Sequence, residues 1–143
     1  MRNKGLYLNP TRELDIDAYS ESDSTGLCGY EDSLDPICVQ SITGFVINMA
    51  NFPVLWKSQL QNETATSTME AEFIALVGCY QELMSIIDMV NFIGEAVGLS
   101  GFEKTKMHVC IHEYNAGALV LPQTIPPQFT PQSKYYAVKT HWF

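Results

Sequence analysis

The chain has 143 residues and a formal net charge of −8 at pH 7, with 46% hydrophobic and 17% charged residues. This length and balance predict one globular domain with its own core and exclude a disordered chain. A domain that grips nucleic acid by itself is usually basic. Any nucleic-acid binding must therefore be confined to a local part of the surface, depend on a neighbouring domain, or be absent.

Targeting signals and cysteines give little guidance to function. No run of 18 apolar residues predicts a membrane span, and the first residues lack the apolar core of a signal peptide. We therefore expect an intracellular protein, cytoplasmic or nuclear, with no membrane partner. Cys28, Cys38, Cys79 and Cys110 form no CxxC pair. They are interpreted as reduced thiols rather than as a zinc site.

Alternating apolar residues predict a first strand over residues 14–20, with one face buried. The strand runs into Glu21 and Asp23. Two acids at this spacing point to the same side of an extended chain, so they could share a cation. Solvated loop acids are the alternative interpretation, and for a lone pair they are the commoner case.

Two further strands are predicted to complete an antiparallel meander. After a charged, solvent-facing loop over 26–40, residues 41–49 are rich in β-branched and aromatic side chains. Residues 51–53 predict a turn, and residues 54–57 the returning strand.

A capping box formed by Ser67 and Glu70 predicts a helix from about Thr68. An apolar stripe at helical spacing follows, at Met69, Phe73, Leu76, Val77 and Tyr80. Glu72 falls inside this stripe and Glu70 falls off it. A carboxylate turned toward the packed side is costly unless a metal ion or hydrogen-bond donor pairs with it. Alternatively, Glu72 lies at the edge of the stripe and reaches water.

The second half of the chain predicts more helix and a strand. The helical period continues to Val97, either unbroken or with a break near Glu82, and Gly98 is a plausible C-cap. Residues 107–112 predict a fourth strand, parallel to the first because a helical crossover precedes it. A short helix or turn is predicted over 115–121, an extended proline-rich loop over 122–131, and a strand or the start of a helix over 133–143.

This order of elements is that of the ribonuclease H fold, and several sequence blocks agree with it. They resemble blocks of Ty1/copia-type retrotransposon polyproteins and comprise KGLYLNPT (4–11), SITGFV (41–46), WKSQLQ (56–61), STMEAEF (67–73), EYNAGAL (113–119) and SKYYAVKTHWF (133–143). The resemblance implies an α/β ribonuclease H-like domain over 14–143. Its mixed five-stranded sheet would have three antiparallel strands, then parallel strands, flanked by helices. Residues 1–13 would be the tail of the reverse transcriptase connection in a longer polyprotein.

The resemblance also implies a chemistry. The family cuts RNA in RNA–DNA hybrids with divalent metal ions, Mg²⁺ or Mn²⁺, held by four carboxylates. By that match, Glu21 stands where the family has Asp, Asp23 matches a second acid in the same block, and Glu72 is the carboxylate of the first helical turn. These three residues are the expected catalytic and metal-binding residues. The other two positions, Tyr114 and Ala137, are not acids.

Glu113, next to Tyr114, is expected to face away from the metal site, because neighbouring residues of a strand point to opposite sides. The sequence therefore predicts a ribonuclease H-like domain with an inactive or weakened nuclease.

Two alternatives remain open. The first is a non-catalytic folded remnant that packs against the reverse transcriptase of the same polyprotein or binds another partner. The second is an unrelated metal-binding α/β protein that uses Asp23, Glu72, His108 or His112. In a strand the two histidines lie about 13 Å apart, too far to share one metal.

Overall fold

A computed structural model describes residues 14–24, 36–98 and 107–123, without the side chains of residues 36 and 121–123. The elements are strands β1 (Asp15–Asp23), β2 (Ile42–Met49), β3 (Phe52–Leu60) and β4 (His108–Glu113), helices α1 (Thr68–Ala96) and α2 (Ala116–Gln123), and a 3₁₀ turn at Pro36–Val39. Within these ranges the strands form one sheet in the order β3-β2-β1-β4. The fold is α/β, compatible with a ribonuclease H-like fold. The segment 133–143, predicted as a strand or the start of a helix, lies outside the described residues, and the described elements include four strands of the predicted five.

The sheet is mixed, as predicted. Strand β1 pairs antiparallel with β2 and parallel with β4, and β2 pairs antiparallel with β3. The parallel pair requires a long crossover, which contains α1. The turn between β2 and β3 falls one residue earlier than predicted. Ala50 and Asn51 both have positive φ angles, 50° and 66°, as a two-residue hairpin turn requires, so Phe52 and Pro53 already belong to β3.

Helix α1 begins as the sequence predicts. Ser67 is the N-cap, and its Oγ accepts a hydrogen bond from the Glu70 backbone N–H at 3.1 Å. The Glu70 carboxylate accepts from the backbone N–H and the hydroxyl of Thr66, each at 2.7 Å. Glu70 is consequently buried. Its position off the predicted apolar stripe therefore does not expose it, because its carboxylate is bound by Thr66.

The far end of α1 also follows a local signal. The helix runs unbroken past Glu82, and Gly98 follows its last turn with a φ angle of +72°. The Gly98 backbone N–H donates to the carbonyl of Glu95 at 3.1 Å, a common way for a helix to end.

The core lies between the sheet and α1. Its buried side chains come from β1, β2 and the inner side of α1, namely Ile16, Ala18, Phe45, Ile47, Cys79, Leu83 and Ile86. The predicted stripe was only partly right, since Phe73 is buried whereas Tyr80 is 44% exposed. By length and composition alone, α1 is apolar enough to cross a membrane. The core helix of a soluble protein passes the same test, and α1 packs on β1 and β2.

Helix α2 packs back on α1 and extends further than predicted. The side-chain Oδ1 of Asn115 accepts hydrogen bonds from the backbone N–H groups of Gly117 and Ala118, at 2.9 and 3.2 Å, and so caps the helix. A Cβ atom at Gly117 would lie 3.0 Å from the Met69 sulfur, so glycine permits this close approach. Pro122 lies inside α2, which corrects the predicted loop over 122–131 at its first two positions.

Candidate functional site

Carboxylates meet where β1, β4 and the first turn of α1 come together. Alternate residues of β1 face α1, and the last fully buried one is Ser20. The parallel register pairs Ser20 with Glu113 at the end of β4. Paired residues of neighbouring strands point to the same face of the sheet. Glu113 therefore faces α1, which carries Glu72.

The carboxylate of Glu113 is held by two hydrogen bonds. The Ser20 hydroxyl donates to Glu113 Oε2 at 2.8 Å, and the Asn115 backbone N–H donates to Glu113 Oε1 at 2.9 Å. The charge of Glu113 also reaches the core. Burial, and secondarily this charge, raises the pKa of the Cys79 thiol to about 11.

Glu72, unlike Glu113, has too few hydrogen-bond partners among the described residues. One of its carboxylate oxygens, Oε2, is buried and has no hydrogen-bond partner within the described residues, and the same holds for Ser22 Oγ. Burial raises the pKa of Glu72 above its ordinary 4.5, as do the negative charges of Glu113 and Glu21, while a hydrogen bond from the Ser22 backbone N–H opposes the rise. A carboxylate in this setting favours a proton or a cation.

The start of α1 is fixed by a residue that sequence reasoning did not single out. Gln61 is buried, and its Nε2 donates to Thr43 Oγ1 at 3.0 Å and to the carbonyl of Ala71 at 2.9 Å. The side chain thereby ties the end of the sheet to the first turn of the helix. Because Ala71 immediately precedes Glu72, the hydrogen bond from Gln61 to the Ala71 carbonyl fixes the backbone that carries the Glu72 carboxylate. In the sequence, the signal for Gln61 is its place as the last residue of the block WKSQLQ (56–61).

The structure separates the three predicted site residues. Glu21 and Asp23 are exposed and lie at alternate positions to Ser20 and Ser22, on the face of β1 opposite α1. They share an open depression with Ser22, Ile42, Gly44 and Ser58. Glu72 lies on the α1 side. Glu21 still acts on Glu72 through its negative charge, which contributes to raising the pKa of Glu72.

The end of β4 differs from the expectation. Tyr114 is 84% exposed, one residue beyond the strand, whereas Glu113 faces Ser20. The expectation that Glu113 faces away from the site was wrong, because β4 continues the alternation of Val109 and Ile111 through its last residue. That alternation was the signal for Glu113 in the sequence. Ala137 lies outside the described residues.

Comparison with known sequences identifies the origin of the chain. Two curated proteins of Arabidopsis thaliana are similar to it, the "Retrovirus-related Pol polyprotein from transposon RE1" and that "from transposon RE2". The first is 26% identical over 140 residues, which cover 98% of this chain and 8% of the relative. The second is 27% identical over 90 residues, which cover 63% of this chain and 6% of the relative. The chain is a relative of retrotransposon Pol polyproteins.

This Pol-related chain is far shorter than the proteins that it matches. It spans less than a tenth of either relative's length. The alignment with the first relative covers nearly the whole chain, so Glu72 and Glu113 both lie within the aligned sequence. No protein-family model and no solved structure matches the chain.

Proposed function

We propose that the chain is a ribonuclease H-like domain of a retrotransposon polyprotein and that its cleavage of RNA in RNA–DNA hybrids is lost or strongly weakened. The observation that carries this proposal is Glu72 Oε2, which is buried near the acids at the ends of β1 and β4 and has no hydrogen-bond partner among the described residues. A packed interior rarely leaves a carboxylate oxygen without a partner unless a ligand completes the site.

The donors at this point suit Mg²⁺ or Mn²⁺, which prefer oxygen ligands. Glu72 would hold the ion, with the Ser22 hydroxyl beside it. Glu113 would join only after giving up the hydrogen bond from Ser20. A bound divalent ion supplies an activated water and stabilises the leaving oxygen in such nucleases. The protein's own part is to hold Glu72 in position, through the contacts of Gln61.

The weakness of the site follows from what is missing around Glu72. Tyr114 and Ala137 replace two of the family's acids, and Tyr114 is exposed to solvent. Glu21, longer than the family's Asp by one methylene, is exposed on the other face of the sheet. Two metal ions require more carboxylates than Glu72 and Glu113 supply.

The deciding experiment is cleavage of a labelled RNA–DNA hybrid in Mg²⁺ and in Mn²⁺. We compare the natural chain with a Tyr114→Asp, Ala137→Asp double variant and with the same variant carrying Glu72→Gln as the control. We expect the double variant to cut at least about 100-fold faster than the natural chain. Even the loss of a residue that hydrogen-bonds a metal ligand lowers metal affinity or activity by about 10- to 100-fold. The control should be inactive.

Two results would contradict the proposal. One is EDTA-sensitive cleavage by the natural chain at the rate of the double variant, which would mean that the existing acids suffice. The other is cleavage that survives Glu72→Gln, which would locate the nuclease elsewhere. If no variant cuts although all are folded, the nuclease ancestry of the site is not supported and a non-catalytic role is favoured.

A second function, packing against another part of the polyprotein, is favoured by the C-terminal third of α1. Met89, Phe92, Ile93 and Val97 are each at least half exposed. Large apolar side chains grouped on a surface mark protein interfaces. The partner would be the reverse transcriptase domain of the same polyprotein. If so, Phe92→Asp should weaken its binding in a titration by at least about tenfold, as expected for an interface anchor, and Asp88→Asn on the same helix should not.

A further inference from the structure

A cluster of three different metal-ligand side chains lies on the face of the sheet opposite α1. We propose that Asp17, Cys110 and His112 form a binding site for Zn²⁺ or a similar borderline divalent cation. One ligand atom from each residue lies within 4.8 Å of the other two. This site is independent of the acid cluster at Glu72 and of the nuclease proposal.

The strand register builds the cluster. In the parallel pair, Asp17 lies opposite Cys110 and Tyr19 lies opposite His112. All four side chains therefore point to the same face, because facing residues and alternate residues share a side. The imidazole of His112 reaches back along the strands, and its Nε2 lies 2.9 Å from Asp17 Oδ1.

The ring of Tyr19 fixes the orientation of the histidine. The two rings stack with centroids 4.4 Å apart and an angle of 10° between their planes. This stack holds the His112 ring so that Nε2 points toward Asp17. A metal ligand whose ring is already oriented loses less conformational entropy on binding.

The donor set decides which metal fits. One carboxylate oxygen, one thiol sulfur and one imidazole nitrogen match the ligands of Zn²⁺, whereas Mg²⁺ prefers oxygen alone. Ligand atoms around tetrahedral zinc lie about 3.3–3.8 Å apart, given bonds of about 2.0–2.3 Å. The three ligand atoms lie within 4.8 Å of one another, so shifts of about 1 Å would bring them to that spacing. On binding, Asp17 and His112 exchange their hydrogen bond for bonds to the metal, and the Cys110 thiol releases its proton.

The site is open on one side. The side chains of His112 and Asp17 are 38% and 31% exposed, so a metal ion has a path of entry and a fourth coordination position for water. The sequence by itself offers Asp23, Glu72 or His108 as possible co-ligands of His112 and gives the cysteines no metal-binding role. The true neighbours of His112 come from register, which brings together residues 95 apart in the chain.

Cobalt binding to the full chain tests the proposal, with Co²⁺ alone as the spectroscopic stand-in for Zn²⁺. We expect a thiolate-to-cobalt charge-transfer band with tetrahedral visible bands at one equivalent, and displacement by Zn²⁺. Cys110→Ser should abolish the charge-transfer band. Asp17→Asn and His112→Gln should each weaken binding at least about tenfold, the lower range for disturbing a metal ligand's surroundings.

The matched control is His108→Ala, which removes an exposed histidine from the same face of β4. It should bind Co²⁺ like the natural chain. Circular dichroism of each metal-free variant establishes that it is folded. Absence of the thiolate band in the natural chain would overturn the proposal, whatever the variants do. So would its persistence in Cys110→Ser, or its loss in His108→Ala.

Discussion

Strands β1 and β4 carry different chemistry on their two faces. Toward α1 they present Ser20 and Glu113, which meet Glu72 in a cluster of oxygen donors. On the opposite face, Asp17, Cys110 and His112 bring together oxygen, sulfur and nitrogen. The difference arises from the two-residue period of a strand, which sends neighbouring residues to opposite sides. One strand pair can thus support a site for a hard cation on one face and a site for a softer cation on the other.

The two faces should differ most in their contribution to stability. Ile16 is fully buried under α1, whereas Tyr19 is only half-buried on the opposite face. We expect Ile16→Ala to lower the free energy of unfolding by about 2–5 kcal/mol, because it leaves a cavity in the core. Tyr19→Ala should cost about 1 kcal/mol, a typical single substitution. Urea denaturation of both variants measures these free energies of unfolding. Equal losses of stability would mean that the face opposite α1 is also packed.

Gln61 tests whether the stability of the sheet face toward α1 depends on the hydrogen bonds that connect the sheet to the helix. Gln61→Ala removes both hydrogen bonds of the Nε2 group, to Thr43 and to Ala71. We expect a loss of about 1–3 kcal/mol, since buried polar groups then lose their partners. Asn62→Ala, at the exposed neighbouring position, is the control and should stay within about 0.5 kcal/mol. If the two variants unfold at the same urea concentration, the hydrogen bonds of Gln61 do not stabilise the contact between the sheet and α1.

Glu72 gives the smallest effect, and its sign depends on pH. Because the pKa of Glu72 is raised above its ordinary 4.5, the folded state binds the proton more tightly than the unfolded state. Stability from this group therefore falls as pH rises above about 4.5. In EDTA, Glu72→Gln should stabilise the chain at pH 7 by about 0.5–1 kcal/mol, allowing for solvent screening, and should have little effect near pH 3.

Thermal unfolding at both pH values, with and without Mg²⁺, checks the Glu72 prediction. Added Mg²⁺ should raise the unfolding temperature of the natural chain more than that of Glu72→Gln, since a ligand that binds only the folded state stabilises it. A variant that is less stable than the natural chain at pH 7 in EDTA would mean that the carboxylate already has a good partner.

Much of the fold could be predicted from local signals. The alternation in β1, the capping box at Ser67 and the left-handed glycine at Gly98 each act within a few residues. The parallel pairing of β1 and β4 followed from the long helical crossover. The errors were local as well. The hairpin turn lies one residue earlier than predicted, and Pro122 belongs to α2 rather than to the predicted loop.

The candidate site could be predicted only in part. The spacing places Glu72 within an apolar stripe, and the resemblance gives it a metal-binding role. In the structure its Oε2 is buried with no hydrogen-bond partner among the described residues. Glu113 was passed over because the expected acid was at position 114. The role of Gln61 could not be inferred, since its partners Thr43 and Ala71 lie on two other elements.

The sequence by itself determined which segments form strands and helices, and their ends to within a few residues, because turns, caps and hydrophobic periods are set by neighbouring residues. Only the tertiary structure decided which side chains meet. The Ser20–Glu113 and Asp17–His112 contacts join residues 93 and 95 apart in the chain. Such contacts depend on strand register, and a shift of one residue would move every side chain to the opposite face.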